Sequence, residues 1–168
     1  RMLFSGLSIR FKGKSTIKEV WPNLELYING GVSFVPYKDQ FDKIIGGKIN
    51  YLEIYNASEG FIAGQQSPDD DGLLLFTEHG IFYEFMPVEE YGNENPKTVG
   101  LNHVQVGKNY ALIISTTGGL WRYLIGDTIQ FTKLNPYHIK VSGRLKHYMN
   151  AFGEEVIVDN SDKAIAVA

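Results

Sequence analysis

The 168-residue sequence contains no cysteine, which excludes disulfides and every metal site built on thiolate, and favours a reducing compartment. It has no polybasic run. Sixteen basic residues stand against nineteen acidic ones for a net charge of -3, so electrostatic capture of nucleic acid or of an anionic membrane is not expected. Its uninterrupted apolar runs fall far short of the roughly 20 residues that a membrane-spanning helix needs. The opening Arg1-Met2-Leu3-Phe4-Ser5-Gly6-Leu7 has no basic region leading into an apolar core of signal-peptide length, and a cytoplasmic protein is the expectation. Histidine is scarce: His79, His103, His138 and His147 form no close pair at metal-ligand spacing. What is present is ordinary globular composition, 43% hydrophobic and 21% charged, enough for one core or for two small subdomains sharing a boundary. A monomer that binds small molecules is the expectation.

The chain is organised around Tyr51 to Gly60, Tyr-Leu-Glu-Ile-Tyr-Asn-Ala-Ser-Glu-Gly, an apolar strand that stops abruptly in small and polar residues. Such a strand delivers side chains to the open edge of a sheet, where α/β proteins gather ligands. Ser58 and Glu59 are the groups presented, a hydroxyl for a phosphate oxygen and a carboxylate for a divalent metal. Before this stretch, Ser15 to Val20 reads as a short helix with Ser15 as N-cap, ended by Pro22. Leu24 to Ile28 reads as a strand, and Asn29-Gly30-Gly31 as a tight turn that lets a flat ligand approach the backbone. From Pro36 a second helix places Tyr37, Phe41, Ile44 and Ile45 on one face and stops at Gly46-Gly47. Ile49 to Tyr55 follows as a strand. Strand, helix, strand implies a parallel crossover with both loops facing one crevice.

After Gly60 the pattern changes to strands and turns. Leu73 to Thr77 with Ile81 to Met86 reads as a hairpin. Leu101 to Val106, Tyr110 to Thr116, Leu120 to Ile125, Thr128 to Leu134 and His138 to Ser142 read as further strands. Gly107, Gly118-Gly119, Gly126-Asp127 and Pro136 separate them. The expected fold class is therefore α/β plus β, a parallel strand-helix-strand unit followed by a small, mostly antiparallel β-barrel or sandwich. From Asp159 the tail reads as the start of a helix.

Several motifs carry less than they suggest. Gly13-Lys14-Ser15 ends like a phosphate loop, but Ser8 stands where that motif needs glycine and no strand precedes it. Asn56-Ala57-Ser58 satisfies a glycosylation pattern without other secretory features. Asp69-Asp70-Asp71 lacks calcium-loop spacing and reads as a solvated turn. A serine hydrolase is the stronger rival: Ser58 follows a strand, and Ser58, Asp127 and His147 occur in hydrolase order. Against it, Asn56 replaces the elbow's first glycine, and Gln65-Gln66-Ser67-Pro68 stands where a helix should run. A noncatalytic binding module is a third reading.

Three separated pieces suit one ligand. Asn29-Gly30-Gly31 and Tyr55-Asn56-Ala57 offer backbone polar groups and an aromatic face to a purine. Asp127, in a Gly-Asp turn after an apolar strand, can accept two ribose hydroxyls. Ser142-Gly143-Arg144 adds a nearby cation. In order, Trp21-Pro22, Ile28-Asn29-Gly30-Gly31, Tyr55-Asn56-Ala57-Ser58-Glu59-Gly60, Arg122-Tyr123-Leu124-Ile125-Gly126-Asp127 and the block from Ser142-Gly143-Arg144 to Gly153-Glu154-Glu155 resemble the auxin-responsive family of acyl acid amido synthetases. That family lies within the adenylate-forming superfamily of acyl-CoA synthetases and luciferases.

The resemblance implies ATP and magnesium as cofactors, a carboxylic acid and an amino acid as substrates, and two steps. The acid attacks the α-phosphorus of ATP, and the amine then displaces AMP to give an amide. By position, Ser58 would contact phosphate and Glu59 the magnesium. Gly30, Gly31, Tyr55, Asn56 and Ala57 would form the adenine pocket, Asp127 would hold the ribose, and Arg144 the ribose or phosphate. Lys146, with Glu59 a catalytic candidate, falls at the superfamily's hinge, where many relatives carry aspartate; closure about that hinge assembles a second active site. The expected organisation is 1–66 as the C-terminal part of an α/β nucleotide-binding subdomain, 67–142 as the β-barrel-like subdomain, and 143–168 as the hinge and the start of a C-terminal domain. The relatives' Ser/Thr/Gly-rich phosphate loop is not in these residues. A fragment with weak nucleotide binding and little or no ligase activity is thus expected.

Overall fold

The structure is a computed structural model that describes residues 13–31 and 34–145, together with the strands 149–151 and 154–156. Its first half is the parallel unit that the sequence implies. Helix α1 is Ile17–Val20, strand β1 is Leu26–Gly30, helix α2 is Lys38–Ile45 after the 3-10 turn Val35–Tyr37, and strand β2 is Asn50–Ala57. Strands β1 and β2 pair in parallel. Helix α2 forms because Phe41 and Ile45 recur at helical spacing and have somewhere to go. Ile45 is buried, and the Phe41 ring packs against Tyr27 and Phe34. At α1 the structure starts one residue later than expected: Thr16 is the N-cap, without a side-chain cap bond. Ser15 instead donates its backbone N–H and its hydroxyl to the Glu19 carboxylate at 2.7 and 3.0 Å.

Helix α2 ends at Gly46, whose φ of 78° is left-handed. A Cβ there would also sit 2.4 Å from Thr16 Cβ, because the turn closes onto the start of α1. Gly46→Ala should therefore lose at least the roughly 1–2 kcal/mol that a left-handed L-residue costs, read as a lower urea midpoint; an unchanged midpoint would contradict this packing.

The remaining strands are β3 (Gly60–Gly64), β4 (Leu73–Leu75), β5 (Ile81–Pro87), β6 (Asn109–Thr116), β7 (Tyr123–Leu134) and β8 (Tyr137–Arg144), followed by β9 (Met149–Ala151) and β10 (Glu154–Val156). The first eight strands form one mixed sheet in the order β1-β2-β3-β4-β8-β7-β6-β5, and β9 and β10 form a separate pair. This corrects the expected separate barrel or sandwich. The Ser58-Glu59 turn carries β2 directly into an antiparallel β3, so the parallel unit and the antiparallel strands share one sheet. Among the described residues no ladder joins its edges, β1 and β5.

The open sheet nevertheless rolls on itself. A Cβ on Gly60 of β3 would lie 2.8 Å from Ile81 Cδ1 of β5, although four strands separate these two in the sheet order. Phe85, Tyr110 and Phe131 fill the concave face with edge-on ring contacts, and each such burial contributes roughly 1.5–3 kcal/mol. Strand β6 is covered on both sides. Tyr110, Leu112 and Ile114 enter the concave core, while Ala111 and Ile113 pack with Met86, Val88 and Leu145 on the other face.

Three further expectations change. Strands β4 and β5 do not form a hairpin: β4 lies between β3 and β8, and β5 pairs with β6. Residues 101–106 are not a strand, since His103 N–H closes a 3-10 turn on Gly100 O. Gly126-Asp127 is not a turn between two strands either, because it lies within β7, at a bulge where the β6 pairing passes from Leu124 to Thr128. The tail helix expected from Asp159 lies outside the described residues. Among those residues no helix is long and apolar enough to cross a membrane.

Candidate functional site

The site is built where β2, β7 and β8 meet. Asp127 lies opposite Arg144 in the β7–β8 ladder and is only 8% exposed. Its Oδ1 accepts a 2.8 Å hydrogen bond from Arg144 Nε, and its Oδ2 accepts a 2.9 Å bond from the Tyr55 hydroxyl. Tyr55 is on β2, and β3, β4 and β8 lie between it and β7 in the sheet. The contact can form only because the sheet rolls. Beside it, the buried Ser142 hydroxyl donates to Thr128 Oγ1 at 3.0 Å, a second polar tie between β7 and β8.

Burial raises the Tyr55 phenol pKa far above its ordinary range, and the charge of Asp127 and the bond to it raise it further. Arg144 opposes the shift, whereas Glu59 adds to it. The phenol therefore stays protonated and acts as a donor. The same coupling places the charge of Glu59 within electrostatic reach of the phenol that holds Asp127.

At the edge of the parallel unit, a Cβ on Gly30 would lie 2.8 Å from Asn56 Oδ1 and 3.3 Å from Ile54. The expected Asn29-Gly30-Gly31 turn is thus corrected: Asn29 and Gly30 end β1, paired with Glu53 and Ile54 of β2, and only Gly31 lies beyond the strand. Gly31 has φ +104°, a conformation suited to glycine. Gly30, Gly31, Asn56 and Ser58 are exposed, and Ala57 and Glu59 are half-buried. The Tyr55 ring is 5% exposed and belongs to the concave core, so its hydroxyl, rather than its ring face, is what reaches the site. Lys146 and His147 lie outside the described residues.

The donor set suits a hard cation. Magnesium is commonly held by one or two carboxylates together with substrate phosphates, and Glu59 with Ser58 supplies one carboxylate and one hydroxyl. Among the described residues no group of three or more acidic or histidine side chains could cage an ion alone, so an ion here would need the oxygens of a phosphate. For a hydrolase, Asp127 would have to orient His147, which lies outside the described residues. Of the described histidines, His79 packs 4.6 Å from the Phe76 ring.

The Phe61–Ile62 and Ile81–Phe85 stretches divide by alternation. Ile62, Tyr83 and Phe85 are core, while Phe61 and Phe82 are exposed. Ile81 and Phe82 line a concavity of about 410 Å³ with Thr116 and Trp121. Sequence reasoning missed the Tyr55–Asp127 bond and the Thr128–Ser142 pair. Ser142 had been noticed only as the start of Ser-Gly-Arg, and nothing local marks Thr128.

Arg122 opens β7 in a left-handed conformation, φ 45°. Its guanidinium forks onto Glu84 at 2.9 and 3.0 Å, and its backbone N–H donates to Ser115 Oγ. The Arg122 bond holds the Glu84 pKa below the ordinary 4.5. A lowered folded pKa means the stabilisation is present above the unfolded value and is lost as the pH falls through the folded one. Glu84→Gln should therefore melt below the unsubstituted chain at neutral pH, by a surface-pair amount of under about 1 kcal/mol. The two melting curves should converge as the pH falls below 4.5, and a pH-independent gap would contradict the pairing.

Comparison with known proteins bears out the resemblance. Residues 74–144 match the GH3 family central domain. Indole-3-acetic acid-amido synthetase GH3.3 of Arabidopsis thaliana is 29% identical over 123 residues, which is 69% of this chain and 20% of that protein. The chain thus spans about a fifth of that relative's length. The solved GH3.15 acyl acid amido synthetase superposes with a TM-score of 0.67 at 22% identity, covering 89% of this chain and 27% of that one. The Vibrio cholerae adenylation domain AlmE, solved with glycyl-adenosine-5'-phosphate, superposes at 0.51 with 13% identity, covering 95% and 33%. Both likenesses show a shared fold.

Proposed function

Since the chain carries a GH3 family central domain at residues 74–144 and is homologous to the GH3 acyl acid amido synthetases, we propose that it forms the nucleotide-holding part of an ATP-dependent acid–amino acid ligase. Such an enzyme activates a carboxylic acid as acyl-AMP and passes the acyl group to an amino acid. The observation that carries this reading is the buried carboxylate of Asp127, held by Tyr55 and Arg144.

A carboxylate has about four lone-pair positions. Tyr55 and Arg144 use one on each oxygen, which leaves one on each for the two ribose hydroxyls. Gly30, Gly31, Asn56 and Ala57 border the adenine with backbone groups and the Asn56 amide. Ser58 donates its hydroxyl to a phosphate oxygen, and Glu59 gives its carboxylate to magnesium, which neutralises phosphate charge when bound. Arg144, with a side chain 68% exposed, keeps its remaining N–H donors for phosphate. Leu145, buried against Met86 and Val88, anchors the chain just before Lys146, the proposed hinge.

A pyrophosphate-exchange screen of carboxylic acids with Mg-ATP, followed by an amino-acid screen on any acid that gives exchange, tests the reaction. Glu59→Gln should lower the exchange rate by at least about a hundredfold, the loss of one metal-held charge in the transition state. Exchange untouched by that substitution would overturn the metal role.

A further inference from the structure

Tyr55 is buried where an adenine-stacking ring would have to be open. Its ring is 5% exposed within the concave core, and its hydroxyl donates to Asp127 Oδ2 at 2.9 Å. Arg144 Nε holds the other oxygen at 2.8 Å. A carboxylate gripped at both oxygens cannot spin about its χ2, so its two remaining lone-pair positions point in set directions. Tyr55 also precedes Glu59 by four residues and lies two residues before Ala57, the end of the strand that presents it. One strand thus reaches both the metal-side carboxylate and the carboxylate proposed for the ribose.

We propose that Tyr55 is a positioning residue: through its hydroxyl it orients Asp127 so that the site selects a ribose over a sugar lacking its hydroxyls. This rests on the assignment of Asp127 to the ribose. Its consequence is that the phenol acts on the sugar hydroxyls alone and is silent toward base and phosphates. A ring that stacked on adenine would affect every adenine nucleotide equally.

The experiment is calorimetric titration of the full chain, and of Tyr55→Phe and Asp127→Asn, with Mg-ATP and with Mg-2',3'-dideoxyATP. The expected result is that Tyr55→Phe weakens ATP binding about tenfold, as for the loss of one hydrogen bond to a charged group, and leaves dideoxyATP unchanged, so that the preference between them shrinks. Equal weakening of both nucleotides, or of neither, overturns the proposal. Asp127→Asn separates the two levels. If it keeps the full ribose preference, Asp127 does not hold the ribose and both assignments fall. If it abolishes the preference while Tyr55→Phe retains it, only the role of Tyr55 falls. Should Tyr55→Phe not fold, the unsubstituted chain labelled with 13Cζ-tyrosine decides by NMR. The Tyr55 resonance should shift with ATP and not with dideoxyATP, and an identical response to both overturns the proposal.

Discussion

Asp127→Ala should reduce Mg-ATP affinity by at least about a hundredfold. Two ribose hydroxyls lose a charged acceptor, and hydrogen bonds to charged groups contribute roughly 1.5–3 kcal/mol each. The substitution also removes the partner of a buried phenol. The Tyr55 hydroxyl, bonded to Asp127 at 2.9 Å from within the core, is left without its acceptor, which costs roughly 1–3 kcal/mol of stability. Arg144 loses its partner as well, but its side chain is 68% exposed and water replaces the carboxylate cheaply. Binding and folding therefore both weaken. Calorimetry and urea denaturation separate the two effects, and the double variant Asp127→Ala with Tyr55→Phe should recover part of the stability and none of the affinity. An Asp127→Ala chain that binds Mg-ATP as well as the unsubstituted one would remove Asp127 from the site.

Phe85→Ala should cost about 3–5 kcal/mol, the usual range for emptying a buried phenylalanine site. That is a large part of the roughly 5–15 kcal/mol that holds a typical domain together. Phe85 is 0% exposed, meets Phe131 at 5.1 Å and 73° and Tyr110 at 6.2 Å and 75°, and is paired in β5 at the edge of the sheet. The two rigid rings of Phe131 and Tyr110 cannot collapse into the space it vacates. Phe82, on the same strand but 65% exposed, provides the control, and Phe82→Ala should change stability by less than about 0.5 kcal/mol. Chemical denaturation of both variants checks the pair; similar losses would mean that β5 does not present alternate faces to core and solvent.

Local chemistry made part of this structure legible. The parallel unit follows from short-range patterns: an amphipathic run from Phe41 to Ile45, a glycine at Gly46 where the helix must stop, and apolar strands on either side. The Gly30 turn and the end of β2 were less readable: Asn29 and Gly30 are paired in β1, and Asn56 and Ala57 continue β2 into a hairpin with β3. Gly126-Asp127 shows the limit. In isolation a glycine at φ +91° beside an aspartate is a turn. Between β6 and β8 it is absorbed into one long strand as a bulge: the β6 ladder passes from Ile113–Leu124 to Ala111–Thr128 without pairing residues 125–127, while Asp127 pairs with Arg144 of β8, and a glycine at positive φ suits such a bulge. The hairpin expected between Leu73 and Met86 failed because sequence neighbours lost to partners farther along the chain.

By itself, then, the sequence determined the parallel strand-helix-strand order and the family likeness. Only the tertiary structure decided that all eight strands share one rolled sheet, that Asp127 is buried within a strand, and that the Tyr55 hydroxyl reaches it across the concave face. The physical reason is range. Helix stops and strand ends are set by energies within a few residues, whereas the meeting of residues 55, 127 and 144 depends on how far the sheet rolls, which is summed from the packing of side chains such as Phe85, Tyr110 and Phe131 contributed by separate strands.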